Sequence, residues 1–125
     1  MQSKKFYAVE KTLNNVEMID MVLTIFANTV LNERISLREI TVLRDYLING
    51  YNSQTKKALR LTLDITSQHL DQINHQLKKK GFLESHKNNE RQKILNKKLL
   101  DLKGVFIDSD VDNKVFLINF KLKND

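Results

Sequence analysis

Apolar residues recur at helical spacing in four successive stretches of this chain, then at strand spacing towards its C-terminus. Over residues 13–31, Leu13, Val16, Ile19, Leu23, Phe26 and Val30 line one face of a long helix. Met18, Met21, Val22 and Ile25 widen that face beyond a single stripe. A helix apolar over more than half its circumference is either deeply buried or shared with a second subunit, so a homodimer built around residues 13–31 is expected. A second helix starts at the capping box Ser36-Leu37-Arg38-Glu39, turns Ile40, Leu43 and Leu47 inward, and stops at Asn49-Gly50. A third runs from about Ser53 to Leu61 or Leu63, with Ala58, Leu59 and Leu63 inward. A tight turn at Asp64-Ile65 leads to the fourth, which Thr66 caps and Gly81 ends after a Lys-rich last turn.

Beyond Gly81 the period shortens. Phe82-Leu83-Glu84-Ser85 and Gln92-Lys93-Ile94-Leu95 read as two strands around a polar loop, His86 to Arg91, with Asn88-Asn89 at its tip. Leu99, Leu100 and Leu102 follow as a short helical or extended segment closed by Gly104. Val105-Phe106-Ile107 and then Val115 to Leu122 predict a second hairpin, with Phe116, Ile118, Phe120 and Leu122 on one face. The expected fold is mostly α with a small β hairpin and a C-terminal β-hairpin, in one domain spanning residues 1–125.

The fourth helix is the most informative stretch. Leu70, Ile73 and Leu77 take its inward positions, and between them lie Ser67, Gln68, His69, Asp71, Gln72, Asn74 and His75. These are short or planar hydrogen-bonding groups, not the Glu/Lys mixture of an ordinary solvated helix. Such side chains donate and accept, which reading base edges in a DNA major groove requires. A plain polar surface helix is the bland alternative.

Charge sharpens the picture. The 125-residue chain carries a net +6, distributed unevenly. Residues 1–50 hold six basic and six acidic side chains, residues 51–104 twelve and five, and residues 105–125 three and four. The whole excess falls on residues 51–104, the third and fourth helices, the first hairpin and the segment that follows it, as a phosphate-binding face would need. Lys56, Lys57, Lys78, Lys79, Lys87, Arg91 and Lys93 are expected to form one basic surface there. An acidic protein partner would explain the same distribution less economically.

Two helices, a turn, a third helix and a basic two-stranded wing resemble the winged helix-turn-helix superfamily, and within it the MarR-type regulators. Leu77-Lys78-Lys79-Lys80-Gly81-Phe82-Leu83 is similar to the signature that ends their recognition helix, and Arg91 stands where their wing Arg falls. The stretch from Ile94 to Gly104 also resembles the wing exit of plasmid and phage replication initiators. The resemblance covers roughly residues 36–104. Asp64 replaces the usual turn Gly, and Arg60 the small Ala packed against the recognition helix. The strand-like C-terminus does not match the terminal helices through which MarR-type proteins dimerise.

Other chemistry finds little support. Asp108-Ser109-Asp110-Val111-Asp112-Asn113 resembles the start of a calcium loop. The turn Gly is replaced by Asn113 and the twelfth-position Glu by Asn119, so a solvated turn accounts for it better. His69 and His75 miss the i, i+4 spacing of a helical metal pair, and there is no Cys for a zinc site, a disulfide or thiol catalysis. No metal, cofactor or enzyme activity is expected. No apolar run approaches the roughly 18–20 residues needed to cross a bilayer, and the N-terminus does not resemble a signal peptide. A protein of the cytoplasm, in a bacterium or a virus of one, is expected. The functions implied are sequence-specific binding of double-stranded DNA by a small transcription regulator, or a phage or plasmid replication-initiation or DNA-packaging accessory protein. A winged helix used as a structural protein-interaction module is the alternative from another class.

Overall fold

Each of the first four helices begins where a side chain takes over an orphan backbone donor. Asn14 and Ser36 form reciprocal capping boxes with Glu17 and Glu39, Asn52 accepts from the Thr55 N–H, and Thr66 accepts from the His69 N–H. A cap of this kind stabilises a helix by about 1 kcal/mol. The computed structural model describes residues 3–86 and 89–123, with residues 89–92 described by their backbone alone. The caps open α1 (Asn15–Thr29), α2 (Leu37–Asn49), α3 (Ser53–Leu63) and α4 (Ser67–Lys80). An antiparallel pair, β1 (Leu83–His86) and β2 (Asn89–Leu95), follows, and then α5 (Lys97–Phe106). The described residues are thus mostly helical with one two-stranded sheet.

The helices stop for equally local reasons. Gly50 and Gly81 take positive φ at the ends of α2 and α4, and Asp64 takes the left-handed conformation (φ 53°) at the end of α3. Asp visits that region more readily than most residues because its short polar side chain bonds locally. One cluster of buried residues then joins the elements: Leu23 and Phe26 of α1, Val42, Leu43, Tyr46 and Leu47 of α2, Leu59 of α3, and Leu70, Ile73 and Leu77 of α4. Phe82, Leu83, Leu95 and Leu99 extend it under the hairpin and α5. Burying each such side chain is worth about 1.5–3 kcal/mol. Between α1 and α2, Arg44 bonds both carboxylate oxygens of Asp20.

Four sequence expectations are corrected. The buried face of α1 is rotated: Ile19, Val22, Leu23, Phe26 and Ala27 are inside, while Val16 and Val30 are 48% and 42% exposed. The reason is α5, which lies against the flank of α1 that carries Val22, beside Leu102 and Phe106. Much of the apolar width that suggested a shared helix is therefore consumed within the chain. Gly104 does not close a segment but lies inside α5, because burial of Leu99 and Phe106 carries the helix past it. Consequently the C-terminal hairpin is absent: Val105 and Phe106 belong to α5, and residues 115–122 pair with no strand among the described residues. Lastly, Ala58 is exposed, leaving Leu59 as the buried anchor of α3 and Leu63 half-buried.

The first hairpin is longer than its sequence suggests. Leu83 pairs with Leu95, Glu84 with Ile94 and Ser85 with Lys93; the register then breaks and His86 pairs with Asn89. Most of the expected loop is therefore strand, and its tip, residues 87 and 88, lies outside the described residues. No helix among the described residues is long and apolar enough to cross a membrane.

Candidate nucleic-acid interface

One buried hydrogen bond and one ion pair determine how α4 is presented. Leu70, Ile73, Asn74 and Leu77 point inward. Asn74, expected on the polar face, is 2% exposed, and its Oδ1 accepts from the Tyr46 hydroxyl of α2 at 2.7 Å. Burial pushes the Tyr46 phenol far above its ordinary value, so it remains a protonated donor. Leaving either partner unpaired would cost about 1–3 kcal/mol, which locks the rotation of α4 about its own axis. At the C-terminal end of the helix, Lys80 Nζ donates to Glu39 Oε1 at 2.8 Å, tying α4 to the start of α2. Burial by itself raises the Glu39 carboxyl, but Lys80 and Ser36 together hold it below its ordinary value.

With the rotation set, Ser67, Gln68, His69, Asp71, Gln72 and His75 are all exposed, as is Gln76. All but Ser67, that is Gln68, His69, Asp71, Gln72, His75 and Gln76, line an open cleft of about 720 Å³ between α4 and the first turn of α2. Arg38 and Glu39 form the opposite wall, with Ile73 and Lys80 completing it. The cleft mixes amide and imidazole groups, which donate and accept, with the cation of Arg38. It suits a planar, hydrogen-bonding ligand edge.

The lysines of the expected basic surface lie elsewhere. Lys57 on α3 and Lys79 on α4 are exposed, and Lys78 and Lys93 are half-buried. Lys56 lays its ammonium 4.3 Å from the centre of the Tyr51 ring, a cation–π contact that holds the α2–α3 turn. Tyr51 in turn meets Tyr46 edge-on at 4.8 Å, and its phenol is pushed up by burial and then by the Asp71 charge. None of Lys56, Lys57, Lys78, Lys79 and Lys93 lines the cleft. Lys87 and the side chain of Arg91 lie outside the described residues.

Sequence reasoning missed Arg38, Gln76 and the pairing of Lys80. Gln76 sits at an outward helical position and was legible from the period alone. Arg38 was not, since its approach to α4 across more than thirty residues is a tertiary event. Among the described residues, no three His, Cys, Asp or Glu side chains gather to hold a metal ion. No family model, curated protein or solved structure matches this chain.

Proposed function

We propose that this chain is a winged helix-turn-helix protein that binds double-stranded DNA sequence-specifically through α4, as a small transcription regulator. The observation that carries this proposal is the outward face of α4, where Ser67, Gln68, His69, Asp71, Gln72 and His75 are exposed together while Leu70, Ile73, Asn74 and Leu77 are turned in. Amide side chains pair bidentately with adenine edges, hydroxyls suit any base, and a carboxylate accepts from cytosine while repelling acceptor-rich edges. The order α2, α3, α4, β1, β2 is the one a winged helix-turn-helix requires, with α4 as the recognition helix and the hairpin as the wing of this reading. Lys78 and Lys79 in the last turn of α4, with Lys57 on α3 and Lys93 on β2, are the cations available to the phosphates that run beside an occupied groove. A replication-initiation or packaging accessory protein would use the same contacts on a different target.

Retardation of mixed-sequence duplex DNA, measured at two salt concentrations, tests this role. Each phosphate neutralised releases condensed counterion, so log affinity should fall with log salt by about 0.9 per contact. If no duplex is retarded at about 50 mM salt, where such binding is strong, the DNA-binding role is wrong and a protein-interaction module replaces it.

A further inference from the structure

Residues 114–122 have the sequence of a strand and no partner strand among the described residues. Where this tail leaves α5, exposure alternates with a period of two. Phe116 is half-buried with its ring 6.0 Å from that of Phe106, Val115 and Leu117 beside it are 68% and 83% exposed, and Ile118 drops to 40%. Extended backbone produces such alternation, and it puts Phe116, Ile118, Phe120 and Leu122 on one face. Lys114 anchors the start of the segment by donating to the Phe106 carbonyl at 2.9 Å. Past that anchor the same face is bare, with Phe120 88% and Leu122 94% exposed. Among the described residues, no backbone N–H or C=O from 112 to 123 makes a hydrogen bond. An apolar strand with unpaired edges is a template for another strand.

We propose that the missing strand is the same segment of a second copy of this chain, paired antiparallel about a two-fold axis at Ile118. In that register Ile118 faces its own mate, and Phe116 of each copy faces Phe120 of the other. Each bare Phe120 then lands beside the Phe106–Phe116 ring pair of the second copy. Lys114 faces Leu122 and Lys121 faces Val115, so no like charges are opposed, as cross-strand pairing requires. The exposed side chains of Val115, Leu117, Ile118, Phe120 and Leu122 offer on the order of 500 Å² of apolar surface. Pairing edge to edge brings the near flanks of these side chains together and satisfies the free N–H and C=O groups of both strands in one ladder. The arrangement is isologous, so it closes after two copies and does not propagate into a fibre. It stands independently of the DNA-binding role.

The full chain should sediment as a dimer at micromolar concentration, and Ile118→Lys, which opposes two ammonium groups at the axis, should return it to a monomer with unchanged helical circular dichroism. The chain has no cysteine, so an introduced one reports the register. Opposed residues bring their Cβ atoms to about 4.5–5.5 Å, close to disulfide range, so I118C should cross-link rapidly on mild oxidation. K123C, five residues from the axis, should stay uncross-linked. A monomeric native chain overturns the proposal. So does an Ile118→Lys variant that remains dimeric, which would place the interface elsewhere, on α1 or on the body. Equal cross-linking of both cysteine variants overturns the antiparallel register, and stable capture of a different protein by the tail with no self-association overturns the choice of partner.

Discussion

Asn74 shows how one side chain governs a surface it does not belong to. Its bond to Tyr46 sets which residues α4 shows to solvent. Tyr46→Phe and Asn74→Leu should each cost about 1–3 kcal/mol, because each leaves a buried polar group unpaired. The double variant should cost clearly less than the sum, since replacing both partners by apolar groups leaves nothing unsatisfied. Urea midpoints at constant m-value measure all three. The sequence marks Asn74 as polar and places it beside other polar residues; its partner stands 28 positions earlier, beyond the reach of periodicity. Glu39 makes a second prediction. Its native value lies below the ordinary 4.5, so the stability linked to it is fully present above that value and is lost as pH falls through the lowered native one. Glu39→Gln keeps the capping geometry but removes the titration, and should flatten the acid limb of a plot of Tm against pH.

At the scale of elements, two glycines should respond in opposite directions to the same substitution. Gly81 ends α4 at φ 96°, and a Cβ there would lie 3.3 Å from Leu31 Cδ2. Gly81→Ala should therefore destabilise the fold by about 1–2 kcal/mol through left-handed strain, with crowding added. Gly104 lies inside α5 with nothing within 4 Å of an added Cβ. Gly104→Ala should stabilise by about 0.5–1 kcal/mol by removing the entropic penalty of glycine in a helix. Thermal unfolding of the two variants side by side checks both signs. The capping box at Ser36, the cap at Thr66, the stops at Gly50 and Gly81 and the turn at Asp64 were legible because each is a local arrangement of neighbouring residues. The Asn14 and Asn52 caps are local too, but sequence reasoning missed them. α5 was not, since Gly104 and the short apolar run fit a strand or a helix equally until Leu99 and Phe106 met α1 and α2.

Across the whole molecule, recognition and attachment should separate. Gln72 stands exposed at the centre of the α4 face, so Gln72→Ala should relax preference at one base pair by about 1–3 kcal/mol and leave binding to other positions intact. Lys79 is exposed in the last turn of α4; Lys79→Ala should weaken binding to every duplex alike and make the salt dependence shallower by about one unit. Competition binding on a randomised duplex library measures the first, and titration across a salt series the second. Arg38, facing α4 across the cleft, makes α2 a second wall of the proposed interface.

By itself the sequence determined the four leading helices, the caps at Ser36 and Thr66, the stops at Gly50 and Gly81, the first hairpin and the outward polar positions of α4. All of these follow from residues a few positions apart, where backbone preference and side-chain reach act directly. Tertiary structure decided which face of α1 is buried, that α5 is a helix running through Gly104, that Asn74 belongs to the core and that Arg38 meets α4. Those outcomes depend on which distant surfaces must share the removal of apolar area from water. Residues 115–122 mark the boundary between the two: their alternating pattern specifies a strand, but a strand exists only as part of a pair, and among the described residues no segment supplies the other half.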